Sequence, residues 1–242
     1  MPRGFGIVCV VATSLKKGFE AVQRRMAAAA ELCGRDPSSV RLIAVTKAHP
    51  AALIRRAMKL GMNVFGENKV QEAEEKITEI GRENCEWHLI GHLQKNKARK
   101  AVQLFDCIHS VDSPELAHRL QRICEEEGRD RLAVLVQVDL AGEETKSGVP
   151  VRDLRLVAEA LKRCSRLRFT GLMTIPPYSD DPEFARPYFK RLRELRDILA
   201  AEGAFADDIG ELSMGMSHDL EVAVEEGATM VRVGTAIFGE RG

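Results

Sequence analysis

Lys47 stands in the segment VRLIAVTKAHP, directly behind an apolar run, residues 41–46, that reads as a buried strand. A lysine at the carboxyl end of a strand sits where a β/α fold places its chemistry. Burial lowers the pKa of such an amine, and the neutral amine condenses with a carbonyl to give a Schiff base. Taken alone, the position fits a lysine snorkelling at a strand end equally well. Other polar residues follow apolar runs in the same way: Asn68 in GEN, His92 in GHLQ, Asp112 in SVD, Lys146 in ETKSG, Ser217 in SMGMS, and Gly234-Thr235 just after Arg232. The last two segments have the makings of a phosphate site. Ser217 reads as the N-cap of a helix from His218 to Glu226, whose unpaired N–H groups and dipole attract an anion. Gly234 lets the backbone approach closely, and Thr235 adds an N–H and a hydroxyl. Plain capping, with Asp219 and Glu221 answering the dipole, fits the same residues.

Other candidate clusters carry less. His88 and His92 are four residues apart, but in a strand and loop they share no helical face, which argues against a metal pair. His49, His109 and His118 read as loop or helix-surface residues, and His218 as a solvated first-turn histidine. Lys95, Lys97, Arg99 and Lys100 form a basic run that reads as a solvated helix face. The six cysteines are scattered without a C-x-x-C pair, so they read as reduced thiols of a cytosolic protein and not as a zinc or redox motif.

For the polar residues to meet, the apolar runs must lie side by side. Strands are predicted at 41–46, 63–66, 86–91, 107–111, 132–139, 168–174, 210–214 and 230–234. Helical patterns lie between them near 51–60, 68–82, 95–104, 114–127, 151–164, 183–202 and 218–226. This alternation is that of a (β/α)₈ TIM barrel forming a single domain over 15–242, with an additional N-terminal helix at about Leu15 to Cys33. An open doubly wound sheet shares the alternation, but no G-x-G-x-x-G follows any strand. Ser113-Pro114 marks a helix start, and Gly61, Gly128, Gly203 and Gly227 mark helix ends. Residues 1–14 read as a disordered extension that only faintly resembles a signal peptide.

The 36 basic and 36 acidic residues balance, which leaves no electrostatic footprint for nucleic acid or an anionic membrane. No run approaches the ~18 apolar residues of a membrane span. The expected location is the cytoplasm.

Together, AVTK, FGENKVQE, WHLIGHLQKNK, SVDS, ETKSG, GLMTIPP, LSMGMSHDLEVAVEEG and VRVGTAIFGER resemble the pyridoxal-phosphate homeostasis protein family in order and spacing. The resemblance covers residues 15–241, and its most specific block runs from Leu212 to Arg241. That family is similar to the barrel domain of alanine racemases, the fold-type III pyridoxal-phosphate enzymes. The resemblance implies that Lys47 holds pyridoxal 5′-phosphate as an internal aldimine, a Schiff base. It also implies that Ser217, Gly234 and Thr235 hold the phosphate, that Arg232 faces the pyridine nitrogen, and that Asn68 and His92 lie around the ring. It departs only over the first fourteen residues. The function implied is a cofactor carrier that buffers or delivers pyridoxal phosphate, in transient contact with apo-enzymes, and maintains vitamin B6 and amino-acid homeostasis. The expected state is a monomer. An arginine at the ring nitrogen disfavours the pyridinium and so weakens the electron sink. The tyrosine base that racemases take from a second domain has no evident counterpart beyond Tyr178 and Tyr188. A weak or specialised amino-acid racemase is the alternative, with Lys47 and Lys146 as candidate bases.

Overall fold

The structure, a computed structural model, describes residues 5–142, 147–207 and 209–239, with side chains from residue 14 onward. Its strands are β1 (Arg41–Val45), β2 (Val64–Glu67), β3 (Glu86–Leu89), β4 (Cys107–Val111), β5 (Leu132–Asp139), a two-residue β6 (Val149–Pro150), β7 (Leu167–Met173), β8 (Glu211–Ser213) and β9 (Met230–Val233). All pairings are parallel. The order β4-β3-β2-β1-β9-β8-β7-β5 is closed by a further β4–β5 pairing, so eight of these strands make a barrel, and β6 pairs only with the end of β5. The expected (β/α)₈ barrel is therefore the fold.

The helices are α1 (Phe5–Leu32), α2 (Ala51–Lys59), α3 (Val70–Ile80), α4 (Ala98–Leu104), α5 (Pro114–Glu126), α6 (Leu154–Lys162), α7 (Arg186–Ala201), α8 (Leu220–Glu225) and α9 (Thr235–Phe238). α5 starts as the Ser-Pro signal requires, with Ser113 Oγ accepting from Leu116 N at 3.3 Å. α1 begins at Phe5, ahead of the expected start at Leu15. Of the expected extension, residues 1–4 lie outside the described residues and the backbone from Phe5 onward is helical. Among the described residues no helix is long and apolar enough to cross a membrane.

Alternation along the strands divides the apolar residues into two bodies. Phe65, Trp87, Leu89, Leu132, Val134, Leu172, Leu212, Val231 and Val233 face the helices and join the large outer core. Ile43, Val64, Cys107, Leu135, Met173 and Met230 form a separate small cluster that fills the barrel. Strands buried on both faces read as continuous apolar runs, which is why their limits were visible in the sequence. The same alternation points Glu86, His88, His109, Ser213 and Arg232 inward, among the small cluster. All but Glu86 are buried.

Candidate functional site

At the carboxyl ends of the strands lies a cavity of about 730 Å³, lined in part by Lys47, Asn68, His92, Ser217, Arg232, Gly234 and Thr235. The seven residues that the resemblance implies for the cofactor thus border one space, supplied by the ends of β1, β2, β3, β8 and β9, while Asp112 is not among its lining residues. Gln137, Asp139, Ser147 and Tyr178 border it too and were not anticipated as lining residues.

Lys47 is half-buried in a turn whose next residue, Ala48, has φ +62°. A non-glycine residue in this region persists only where its surroundings impose it. Here a charged clasp does so. Lys76 of α3, itself buried, donates to the Thr46 carbonyl at 2.7 Å, to Glu67 Oε1 at 2.7 Å and to Glu72 Oε1 at 2.6 Å. Thr46 Oγ1 also donates to Glu67 Oε1 at 2.6 Å, and the Ala48 N–H donates to Glu72. Burial raises the Glu67 carboxyl above its ordinary pKa, against the pull of Lys76 and Thr46. Glu72, more open, is held below its ordinary value: burial opposes this, but the bonds from Lys76 and Ala48 prevail.

Beside β1, after β8 and β9, Ser217 and Gly234-Thr235 bring two loops together. Ser217 Oγ accepts from Ala236 N at 3.3 Å. A Cβ on Gly234 would stand 3.2 Å from the Val45 carbonyl oxygen, so the bare backbone is what lets this loop pass so close to β1. Ser217 is not the helix cap expected of it. α8 begins at Leu220, and Asp219 bends back to accept from Met216 N at 2.6 Å, leaving Ser217 in the turn ahead. From α1, Arg25 donates to the Ser217 carbonyl at 3.0 Å and grips Glu221 through two bonds of 2.5 and 2.7 Å. Burial works against the Glu221 charge, but Arg25 holds its carboxyl below the ordinary value.

Arg232 forms the floor. Its Nη1 donates to Ser213 Oγ at 2.7 Å and its Nη2 to the Thr174 carbonyl at 2.8 Å. Both acceptors are neutral. Burial pushes the guanidinium pKa down to about 10, slightly offset by Asp219, so it remains a cation at neutral pH. A guanidinium has five N–H donors, and these two bonds engage two of them. A buried cation with spare donors, an amine and a hydroxyl-and-glycine cradle bordering one cavity suit a planar, anionic aldehyde with a ring acceptor. The donor set fits such a molecule without a metal ion.

Asn68 and His92 lie on one side of the cavity, where Gly91 passes so close that a Cβ there would stand 2.3 Å from the Asn68 carbonyl oxygen. His92 Nδ1 is 3.5 Å from Asp112 Oδ2. His88 and His92 do not converge: His88 is inside the barrel and His92 on the rim. His109, expected at the surface, is instead fully buried in the barrel, because β4 turns it inward beside Cys107. The basic run is a paired helix face, with Arg99 on Glu126 and Glu127 and Lys100 on Glu74 at 2.8 Å. Lys146 lies outside the described residues.

The family model for the alanine racemase, N-terminal domain matches residues 19–242. The chain is 43% identical over 220 residues to the pyridoxal phosphate homeostasis protein of Aquifex aeolicus (strain VF5), covering 91% of this chain and 95% of that one. It is similar to the structure of PipY of Synechococcus elongatus PCC7942 with PLP bound, with a TM-score of 0.79 and 43% identity over 90% of this chain and 100% of that one. An alanine racemase of Clostridium difficile 630 shares the fold, with a TM-score of 0.70 at 16% identity over 90% of this chain and 56% of that one.

Proposed function

The chain belongs to the pyridoxal phosphate homeostasis protein family, and from that premise we propose that it holds pyridoxal 5′-phosphate in the strand-end cavity as a Schiff base on Lys47. It buffers or delivers this cofactor as a cytoplasmic monomer in transient contact with apo-enzymes, and so maintains vitamin B6 and amino-acid balance. The observation that carries the reading is the convergence of Lys47, Arg232 and the Ser217/Gly234-Thr235 cradle on one space. Bound there, the cofactor supplies an aldehyde that captures amines and a ring that withdraws electrons.

The chain's own residues divide the work. Lys47 provides the capturing amine on a turn that Lys76 and Glu72 keep in place. Ser217 and the Gly234-Thr235 backbone receive the phosphate, with Asn68 and His92 beside the ring. Arg232, cationic at neutral pH, donates to the ring nitrogen and disfavours its protonation. That favours holding over carbanion chemistry. Tyr178, the tyrosine on the cavity wall, is a poor base for a racemase: it is exposed, donates to Asp180 Oδ1 at 3.0 Å, and has its pKa raised by that bond.

Purified protein loaded with pyridoxal phosphate is expected to absorb near the edge of the visible range, and borohydride to fix the label on Lys47. Lys47→Ala is expected to lose both. An unchanged spectrum in that variant, with label on another lysine, refutes the assignment. Amino acids incubated with loaded protein in heavy water are expected to keep their α-hydrogen. Exchange at an ordinary enzymatic rate, about 1–10³ s⁻¹, would make the protein a racemase-like enzyme instead.

A further inference from the structure

A line of hydrogen bonds runs through the barrel from the cavity floor to the base. Arg232 Nη1 donates to Ser213 Oγ at 2.7 Å, and Ser213 Oγ is 2.9 Å from His109 Nδ1. His109 Nε2 is 2.9 Å from His88 Nδ1, and His88 Nε2 is 3.3 Å from Glu86 Oε2. Glu86 sits at the base, where Arg41 reaches it at 3.1 Å and reaches Glu211 at 3.7 Å.

The carboxylate end fixes the direction of every bond along neutral rings. A guanidinium only donates, so Ser213 Oγ accepts from Arg232, but its second lone pair could accept from His109 as well, and the order is set from Glu86. A carboxylate only accepts, so His88 donates to it through Nε2–H. A neutral imidazole that donates at one nitrogen accepts at the other, so His88 Nδ1 accepts from His109 Nε2–H, and the bare His109 Nδ1 accepts the Ser213 hydroxyl proton. A proton added to His88 would confront the His109 N–H. One added to His109 would place a second cation near Arg232 and strand the Ser213 proton.

We propose that Ser213, His109 and His88 are positioning residues for Arg232, a one-way chain of neutral groups anchored on Glu86 that orients the guanidinium at the cavity floor. What Arg232 then contacts rests on the function proposed above; the chain itself does not. The groups around the histidine pair pull both ways: Arg41 on β1 and Arg232 on β9 oppose a further cation, whereas Glu211 on β8 and Glu86 on β3, whose carboxyl is held below its ordinary pKa first by the bond with His88, favour one, and burial raises the Cys107 thiol on β4. Burial, then the neighbouring His88, Arg232 and Arg41, hold His109 well below its ordinary pKa. The rival occupant is a metal ion. The facing ring nitrogens and Cys107 Sγ lie within 4.8 Å of one another, but an ion would have to replace the proton shared by the two rings.

The test is ¹⁵N NMR of the histidine-labelled, cofactor-free full chain. At neutral pH both rings are expected as Nε2–H tautomers, and His109 is expected to stay so down to about pH 5, where a free imidazole is largely charged. A cationic His109, an Nδ1–H tautomer at either ring at neutral pH, or stoichiometric uptake of Zn²⁺ with loss of the ring N–H signals overturns the chain. His109→Phe is then compared with His109→Gln, which can still accept and donate. His109→Phe is expected to weaken pyridoxal phosphate binding by about tenfold and to shift the absorption band, with partial rescue in His109→Gln. Folded His109→Phe protein with unchanged affinity and band refutes the positioning role. If the wild type binds no pyridoxal phosphate, the proposed function fails while the tautomer result still decides the chain.

Discussion

Replacing Lys76 by methionine tests how the turn bearing Lys47 is held. The substitution keeps the aliphatic stem and removes an amine bonded to the Thr46 carbonyl, Glu67 and Glu72, all within 2.7 Å. Glu67 has no exposed surface, and its Oε2 already lacks a hydrogen-bond partner. Breaking a buried ion pair by removing one partner costs about 3–5 kcal/mol, because a charge is left buried and uncompensated. For a domain of this size each kcal/mol moves the melting midpoint by about 2–4 °C, so Lys76→Met is expected to melt roughly 6–20 °C lower. The dependence on pH has a definite sign. Glu67 has its folded-state pKa raised by burial, so the native state binds its proton more tightly than the unfolded chain. The associated stabilisation is present below the unfolded pKa and is lost as pH rises through the folded pKa. Without Lys76 the folded value climbs further, so the variant's deficit should be larger at about pH 7 than at about pH 5. Adding Glu67→Gln removes the stranded charge and should recover much of the loss. Urea melts of the wild type, Lys76→Met and the double variant at both pH values make the measurement. A deficit below about 1 kcal/mol at neutral pH, or a double variant no more stable than Lys76→Met, would show that the clasp does not hold the turn.

The remaining predictions concern the cavity and its supports. Ser217→Ala should weaken pyridoxal phosphate binding about tenfold to a hundredfold, since a hydrogen bond to a charged group contributes ~1.5–3 kcal/mol, while leaving the weak binding of unphosphorylated pyridoxal unchanged; equilibrium dialysis of both compounds decides it. Gly91→Ala forces a Cβ to 2.3 Å from the Asn68 carbonyl oxygen and should destabilise the fold by about 1–3 kcal/mol, whereas Gly234→Ala, at 3.2 Å from Val45, should cost less in a melt but shift cofactor affinity. Arg25→Ala should cost no more than about 1 kcal/mol, since the Arg25–Glu221 pair is a third exposed and screened. Because Glu221 has a depressed folded pKa, that contribution is present above the unfolded carboxylate pKa and disappears as acid titrates the folded one, which a pair of pH-dependent melts would reveal. A thiol reagent should modify exposed Cys33 promptly and leave Cys107 untouched until unfolding, as burial raises its thiol pKa.

What was legible in the sequence follows from which physical constraints act locally. β4 and β5 were predicted at their observed limits, and the other barrel strands lie within two residues of theirs, because a strand buried on both faces is a bounded apolar run. That Lys47, Asn68, His92, Ser217 and Gly234-Thr235 border the cavity was legible because residues immediately after such runs meet at the mouth of a barrel. The start of α8 was not. Ser217 and Asp219 are both good capping residues, and only the bond from Met216 N to Asp219 selects between them.

The polar line inside the barrel escaped for a different reason. An apolar run does not say which of its faces is inward, so His88 and His109 looked like accidents of strand and loop. Counted from Cys107, alternation puts His109 inward, but it fails just beyond, where the pairing of β4 with β5 shifts register between Ile108 and Val111, and that of β5 with β7 shifts between Val134 and Leu135. At such shifts the parity of inward residues changes partway along a strand. Only the closed barrel brings Ser213, 104 positions away in sequence, to His109. A residue that touches the cavity can be guessed from its place at a strand end. One that acts through another, as His109 acts through Ser213 on Arg232, becomes visible only when donors and acceptors are matched bond by bond.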